Sequence, residues 1–248
     1  MDRLLITICA RAGSKGIPNK NRREMNGMPL VAYTINIARR FAVLTNGVVA
    51  LSTDSEPIKE TAAAMGLDTS YVRPPELSAD NTGKIDTIRH LLLSEEKRAG
   101  TAYDYIVDLD VTSPLRTISD LTAAYTAIRN DKEALNLFSV SRPHRNPYFN
   151  VVEKHPDGYY RLVKSPEKPV VSRQTAPVVY DLNASFYFYR RKFFDMGFRN
   201  AYTDRSMVWL IDHFCFDLDE PIDFLFMEYL MKNKLLDFDF SESSSNYQ

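Results

Sequence analysis

The sequence predicts an α/β domain built on a mostly parallel sheet with crossover helices. Two observations carry this. β-Branched and apolar runs alternate with segments of helical period, and 248 residues are enough for one such core without disulfides or a structural metal. The first strand is read over Leu4 to Ala10 and empties into a polar Gly/Lys loop. A helix then begins near Pro29, with Leu30, Tyr33, Thr34 and Ile37 on one face. The second strand, Val48 to Ser52, ends near Asp54; Pro57 suits the first turn of a helix running to Met65, with Gly66 as its stop. A strand near Tyr71 and a helix containing Ile85, Ile88, Leu91 and Leu92 follow. The strand Tyr105 to Val111 then leads to a helix capped by Ser119 or Asp120. This is a doubly wound pattern.

After Val140 the pattern changes. Pro143, Pro147, Pro156 and Pro166 punctuate aromatic and polar segments, and His155-Pro156-Asp157-Gly158 reads as a hairpin turn. Residues 141–182 therefore read as an inserted lobe. Strands resume at Ala184 to Tyr189 and at Phe214 to Leu218, and a helix follows Pro221 through Phe224, Leu225, Met227 and Leu230. The expected organisation is a single domain over residues 1–240 and a disordered polar tail over 241–248.

Composition narrows the function. With 31 basic and 32 acidic side chains the net charge is -1, so no overall field draws in nucleic acid or an anionic membrane, and any anion site must be local. Cys9 and Cys215 lie in apolar runs, as reduced buried thiols do. The run Leu4 to Ala10 is too short for a secretory signal, and nothing approaches the roughly 18 apolar residues of a spanning helix. These features predict a soluble, cytoplasmic protein.

The segment Ala10 to Asn21 places Arg11, Lys15 and Lys20 with Gly13 and Gly16 just past the first strand. Ligands of open α/β sheets gather at the carboxyl ends of strands, where glycines let backbone N–H groups approach phosphate and cations neutralise it. Only two residues separate the glycines, which excludes the nucleoside-triphosphatase loop. A solvated turn is the plainer reading, but its place after the first strand favours an anion site. Two identical triplets, Asp108-Leu109-Asp110 and Asp217-Leu218-Asp219, stand near predicted strand ends. Residues i and i+2 of a strand face one side, so each triplet aims two carboxylates together. Acids without His or Cys partners suit Mg²⁺. The alternative is that Asp219 caps a helix and Asp108 is a solvated strand-end acid. His90, His144, His155 and His213 show no ligand spacing.

With these motifs in view, Ala10 to Asn21 resembles the nucleotide-binding motif of the acylneuraminate cytidylyltransferases. Ser52-Thr53-Asp54, Arg73-Pro74-Pro75-Glu76-Leu77, Thr112 to Arg116, Ser172-Arg173-Gln174, Asn183 to Tyr187 and Asp217-Leu218-Asp219 resemble later blocks of that family in the same order. The resemblance implies a Rossmann-like nucleotide-diphosphosugar transferase fold, CTP and a nonulosonic (sialic-like) acid as substrates, Mg²⁺, and a homodimer to which the lobe contributes. It places Ala10, Arg11, Ser14, Lys15, Lys20 and Asn21 at the nucleotide, with Arg73 near base or ribose. It places Asp217 and Asp219 at the metal, and Arg173, Gln174, Asn183 and Tyr187 at the sugar. Lys20, Arg11 and Asp217 are then the catalytic residues.

Two departures bear on the sugar. Asp110 stands where sialic-acid synthetases usually have glutamine; an acid there either joins the Mg²⁺ ligands, as in related enzymes that activate an eight-carbon sugar acid, or reads a different sugar substituent. Asn81-Thr82-Gly83-Lys84 stands where family members commonly carry small hydroxyl residues, so a nucleotide contact expected from Ser is either lost or replaced by Lys84. Legionaminic acid and N-acetylneuraminate both fit. A CTP-binding protein without catalysis and a metal-dependent glycosyltransferase are the readings from other classes; the second has no need for the Lys-rich loop.

Overall fold

The computed structural model describes residues 2–13, 16–79, 82–165, 170 and 172–244, with the side chains of Arg173, Glu242 and Ser244 outside it. Along the chain, β1 (Leu4–Cys9) is followed by a small ribbon of β2 (Glu24–Met25) and β3 (Met28–Pro29), then α1 (Leu30–Thr45), β4 (Val48–Ser52) and α2 (Glu56–Ala64). Next come α3 (Lys84–Ala99), β5 (Tyr105–Leu109), α4 (Ile118–Asn130) and β6 (Asn136–Ser141). The hairpin β7 (Val152–Lys154) and β8 (Tyr160–Leu162) precedes β9 (Asp181–Arg190), α5 (Arg191–Asp195), β10 (Ser206–Leu210), α6 (Pro221–Lys232) and α7 (Ser241–Ser244).

Six strands form one sheet in the order β10-β6-β9-β5-β1-β4. β1 is parallel to β4 and β5, and β10 is parallel to β6; β9 alone runs antiparallel, between β5 and β6. The mostly parallel α/β sheet expected from the sequence is therefore present. Alternation along β1 sorts the core. Leu4, Ile6 and Ile8 join the larger cluster with α1 and α4, while Leu5 and Cys9 face α3 with Ile85, Ile88, Leu91 and Leu92. Tyr125 of α4 stacks on Phe188 of β9 at 5.6 Å, which ties the antiparallel strand to the larger cluster.

Helix ends follow local chemistry. Thr117, rather than Ser119 or Asp120, caps α4: its hydroxyl accepts the Asp120 N–H, and the Asp120 carboxylate accepts the Thr117 N–H in return. Asn46 closes α1 in the left-handed conformation that asparagine tolerates.

Four expectations change. No strand forms at Tyr71; the Thr69 hydroxyl, not a ladder, bonds Leu51 O and Tyr71 N, and the Tyr71 hydroxyl meets His90 Nδ1 at 2.8 Å. Phe214 to Leu218 is no strand either. The Ser113 and Ser141 hydroxyls bond its carbonyls, and the sheet's edge is instead β10. β6 is an additional strand, whose last residue pairs with the first of β9, so that the lobe leaves and re-enters between neighbouring strands. The expected disordered tail begins as α7, with Ser243 buried and its carbonyl accepting from Asn36 at 3.0 Å; residues 245–248 lie outside those described. No helix among the described residues is long and apolar enough to cross a membrane.

Candidate active site

The carboxyl ends of β1, β4 and β5 open onto a cleft of about 280 Å³, lined among others by Arg11, Lys20, Arg73, Lys84 and Asp110. Its floor begins where β1 ends, with the N–H of buried Ala10 bonded to Ser52 O of β4. Asp54, just beyond β4, then accepts the Ala12 N–H at 2.7 Å, which bends the loop back over the sheet. Asn21 is buried and donates to Arg11 O at 3.0 Å, bracing the same loop from its far side. Arg11 reaches Ser78 O at 3.4 Å, and buried Arg73 bonds Leu77 O through Nε at 3.0 Å. Three of these cations thus converge with Lys20 on one small volume. That concentration of donors suits a polyphosphate.

Both Asp-Leu-Asp triplets reach this place by different routes. Asp108 is on β5 with its carboxylate on the α3 side, fully buried, and Asp110 follows on the same side. Lys84, the first residue of α3, sets its ammonium 2.7 Å from Asp108 and 2.5 Å from Asp110. Asp110 also accepts from Thr112 N at 2.8 Å and Thr112 Oγ1 at 2.9 Å. Burial alone would push Asp110 up, but Lys84 and Thr112 outweigh it and bring the carboxyl to about 2. Burial likewise opposes the Lys84 charge, and the two acids overcome it, holding the ammonium well above its ordinary value.

The second triplet arrives on an extended strap, pinned by Leu218 N to Thr112 O at 2.9 Å. Asp217 has one carboxylate oxygen buried with no hydrogen-bond partner. Burial first, then the Asp110 and Asp219 charges, raise its pKa to about 7 against the Ser113 hydroxyl and Lys84. Asp219 is exposed, and Lys20 lies 3.4 Å from it while also bonding Leu218 O. Asp219 does not cap α6: Glu220 does, in a capping box with Asp223, whose carboxylate also accepts the Asp219 N–H. A Cβ on Gly16 would stand 2.3 Å from Asp219 O, so the cationic loop and the strap are in backbone contact where only glycine fits.

The remaining sequence-derived residues divide. Tyr187 packs on the α3 side of the sheet with Lys84 5.6 Å from its ring centre, and burial, opposed by Lys84, moves its hydroxyl up to about 12. Asn183 is buried, accepts from Ser139 at 2.6 Å and donates to Ser141 at 2.9 Å, so its amide braces β9 against β6. Gln174 is exposed on a turn of the lobe and is not among the cleft-lining residues. Ser14 and Lys15 lie outside the described residues, as does the Arg173 side chain. Arg116, read only as part of a motif, is fully buried and ties Ser185 O at 2.7 Å and Thr34 Oγ1 at 3.2 Å to the main-chain carbonyl of Asp110. A larger groove of about 840 Å³, around Tyr33, Met231, Leu236 and Phe240, is mostly apolar and includes none of these residues.

Known proteins match nearly the whole chain. The chain is 35% identical over 238 residues to the post-translational flagellin modification protein B of Campylobacter coli, covering 95% of this chain and 98% of that protein. It is 35% identical over 237 residues to the CMP-N,N'-diacetyllegionaminic acid synthase of Campylobacter jejuni, with the same coverage of 95% and 98%. In fold it matches the CMP:2-keto-3-deoxy-manno-octonic acid synthetase complexed with CTP, with a TM-score of 0.63 at 16% identity over 94% of this chain and 100% of that one. The family model described as cytidylyltransferase matches residues 5–239, and the chain accordingly belongs to the cytidylyltransferase family of nucleotidyltransferases.

Proposed function

We propose that this protein makes a CMP-nonulosonate, joining CMP from CTP to a nine-carbon sugar acid of the legionaminic or sialic type and releasing pyrophosphate. The observation that carries the reading is the convergence of Arg11, Lys20 and Arg73 with the Asp217–Asp219 strap at the carboxyl ends of β1, β4 and β5. Relatives named for CMP-N,N'-diacetyllegionaminic acid synthesis support the legionaminic choice.

In this reading the anomeric hydroxyl of the sugar attacks the α-phosphorus of CTP in line, and pyrophosphate leaves. Arg11 and Lys20 neutralise the negative charge that grows on the departing oxygens; donors already fixed in place need no reorganisation as that charge develops. Asn21 and Asp54 hold the loop that aims them. Mg²⁺ fits the acids present: the donors are all oxygen, and Asp217 offers a buried oxygen without a hydrogen-bond partner. Asp217 and Asp219 would hold it, and when bound it supplies Lewis-acid stabilisation of the α-phosphoryl group. Tyr187 borders the sugar side next to Lys84 and Asp110.

The same reading includes a homodimer built through the lobe, in keeping with the exposed Val152, Tyr159 and Tyr160 of its hairpin, and a cytoplasmic location, in keeping with two free cysteines. Incubating the protein with CTP, Mg²⁺ and a panel of N-acetylneuraminic, legionaminic, pseudaminic and deaminated neuraminic acids tests the reaction by mass spectrometry. The expected result is metal-dependent CMP-sugar and pyrophosphate, strongest with a legionaminic acid. CTP binding without product from any sugar acid would overturn it.

A further inference from the structure

We propose that Lys84 is a built-in cation that takes Asp110 out of the metal set, leaving a divalent ion to Asp217 and Asp219. This deepens the function proposed above and rests on it only in that a divalent ion binds at all.

Lys84 occupies an unfavourable place in its helix. As the first residue of a 16-residue helix it sits at the positive end of the macrodipole, where a cation is disfavoured. Something nearby must offset that, and two carboxylates do, at 2.7 and 2.5 Å. Neither acid is idle on its other oxygen. Asp108 Oδ1 accepts from the Thr7 hydroxyl at 2.8 Å, and Asp110 Oδ1 accepts from both the N–H and the hydroxyl of Thr112. The Asp110 main chain is fixed as well, its N–H on Ser185 O and its carbonyl receiving Arg116 and Thr34. The carboxylate therefore cannot swing towards the strap without leaving several charge-assisted bonds.

A divalent ion on Asp110 Oδ2 would have to share that oxygen with an ammonium already in contact with it, and like charges at such distances repel strongly in a partly buried site. The strap lacks so close an ammonium. Asp217, like Asp108, has a buried oxygen with no hydrogen-bond partner, but Lys84 stands 2.7 Å from the Asp108 oxygen while no ion pair among the described residues reaches Asp217, and the exposed Asp219 pairs with Lys20 at the longer distance of 3.4 Å. The two triplets consequently receive different cations: the first a covalently tethered one, the second a dissociable one. Asp110 is then no ligand of the divalent ion. Its work is to hold Lys84 at the cleft wall beside Tyr187.

The test counts Mn²⁺ bound to the full-length protein, without nucleotide, by electron paramagnetic resonance. Wild type and Asp110→Asn should bind one ion with affinities within about twofold of each other, whereas Asp217→Asn should weaken it by about tenfold or more, as loss of a ligand does. Lys84→Met, which exposes the Asp108–Asp110 pair, should gain a second ion, and Lys84→Arg, which keeps the charge, should not. If Lys84→Met does not fold, the comparison of Asp110→Asn with Asp217→Asn still decides the matter. Weakening by Asp110→Asn equal to that by Asp217→Asn, or a folded Lys84→Met with no added ion, would sink the proposal while leaving the cytidylyltransferase reading intact. Absence of Mn²⁺ binding by wild type would overturn both this inference and the metal assignment.

Discussion

The same three residues, Asp-Leu-Asp, occur twice in this chain and meet opposite circumstances. At residues 108–110 they end a central strand, are bonded on nearly every oxygen and share one ammonium. At residues 217–219 they lie on a strap without ladder bonds, one oxygen buried with no hydrogen-bond partner and one carboxylate exposed. The Asp110 carboxyl titrates at about 2, while that of Asp217 titrates at about 7. The lesson is that a motif specifies which atoms are offered, and the surrounding fold decides what they do. A carboxylate already neutralised contributes rigidity; one left unsatisfied is available for a ligand.

Asp217→Asn should have the largest effect. Turnover should fall on the order of 10²-fold or more, since a charge stabilising the transition state is lost. Without metal the fold should gain. The Asp217 carboxyl has a folded pKa raised from 3.8 to about 7, so the native protein binds the extra proton in that window and loses stability as pH rises through it. Asparagine lacks that penalty, so thermal melting of metal-free protein should favour the variant above pH 7 and show little difference near pH 4.

Next is Lys84→Met, which removes the shared cation of the first triplet. The expected destabilisation is about 2 kcal/mol, below the 3–5 of a fully buried pair because the Lys84 side chain is 36% exposed. Urea titration measures it, and an unchanged midpoint would mean the triplets differ less than their geometry says.

Gly16→Ala acts on the strap from the loop side. Its Cβ would strike Asp219 O, so the strap and the cationic loop must part. A loss of about tenfold in kcat/KM for CTP is expected, equivalent to roughly 1.4 kcal/mol of transition-state binding, with the melting temperature nearly unchanged.

The smallest effect concerns the root of the strap. His213 Nε2 lies 2.8 Å from Asp120 and its ring stacks on Phe238 at 3.9 Å. Burial lowers the His213 pKa, but Asp120 and the Phe214 carbonyl outweigh it and leave the net shift upward; Asp120, despite burial, is held down by His213 and Thr117. The raised histidine contributes stability below its unfolded value of about 6.5, lost as pH climbs through its folded value, and the lowered aspartate contributes above about 3.9. His213→Asn should therefore cost about 1 kcal/mol near pH 5.5 and less at pH 8.5; a pH-independent difference would show that packing on Phe238, not charge, anchors the strap.

Much of this was legible in the sequence where period and position coincide. β1, β4 and β5, with α1, α2 and α3, follow from runs whose alternation or helical spacing is unbroken. β10 escaped because an edge strand is only half buried and carries weak alternation, whereas the aromatic strap Phe214 to Leu218 imitates a buried strand while bonding through serine hydroxyls. In the cleft, Arg11 and Lys20 were readable from loop position and Asp110 from a strand end, whereas Asp217 was read at the end of a strand that does not form. The pairing of Lys84 with Asp108 and Asp110 was not, since it depends on where α3 docks against β5, a distance that no spacing along the chain encodes. Asn183 shows the reverse: its amide suits a ligand, yet β9 turns it inward to Ser139 and Ser141.

The pairing of Ser141 with Asp181 makes residues 142–180 the connection of one outsized β-hairpin. A connection whose ends are already held side by side by the sheet can change length cheaply, each doubling costing only about 0.6 kcal/mol of closure entropy. The lobe is thus the modular part of the molecule: it can be shortened, lengthened or exchanged for another while the six-stranded sheet and its cleft stay as they are.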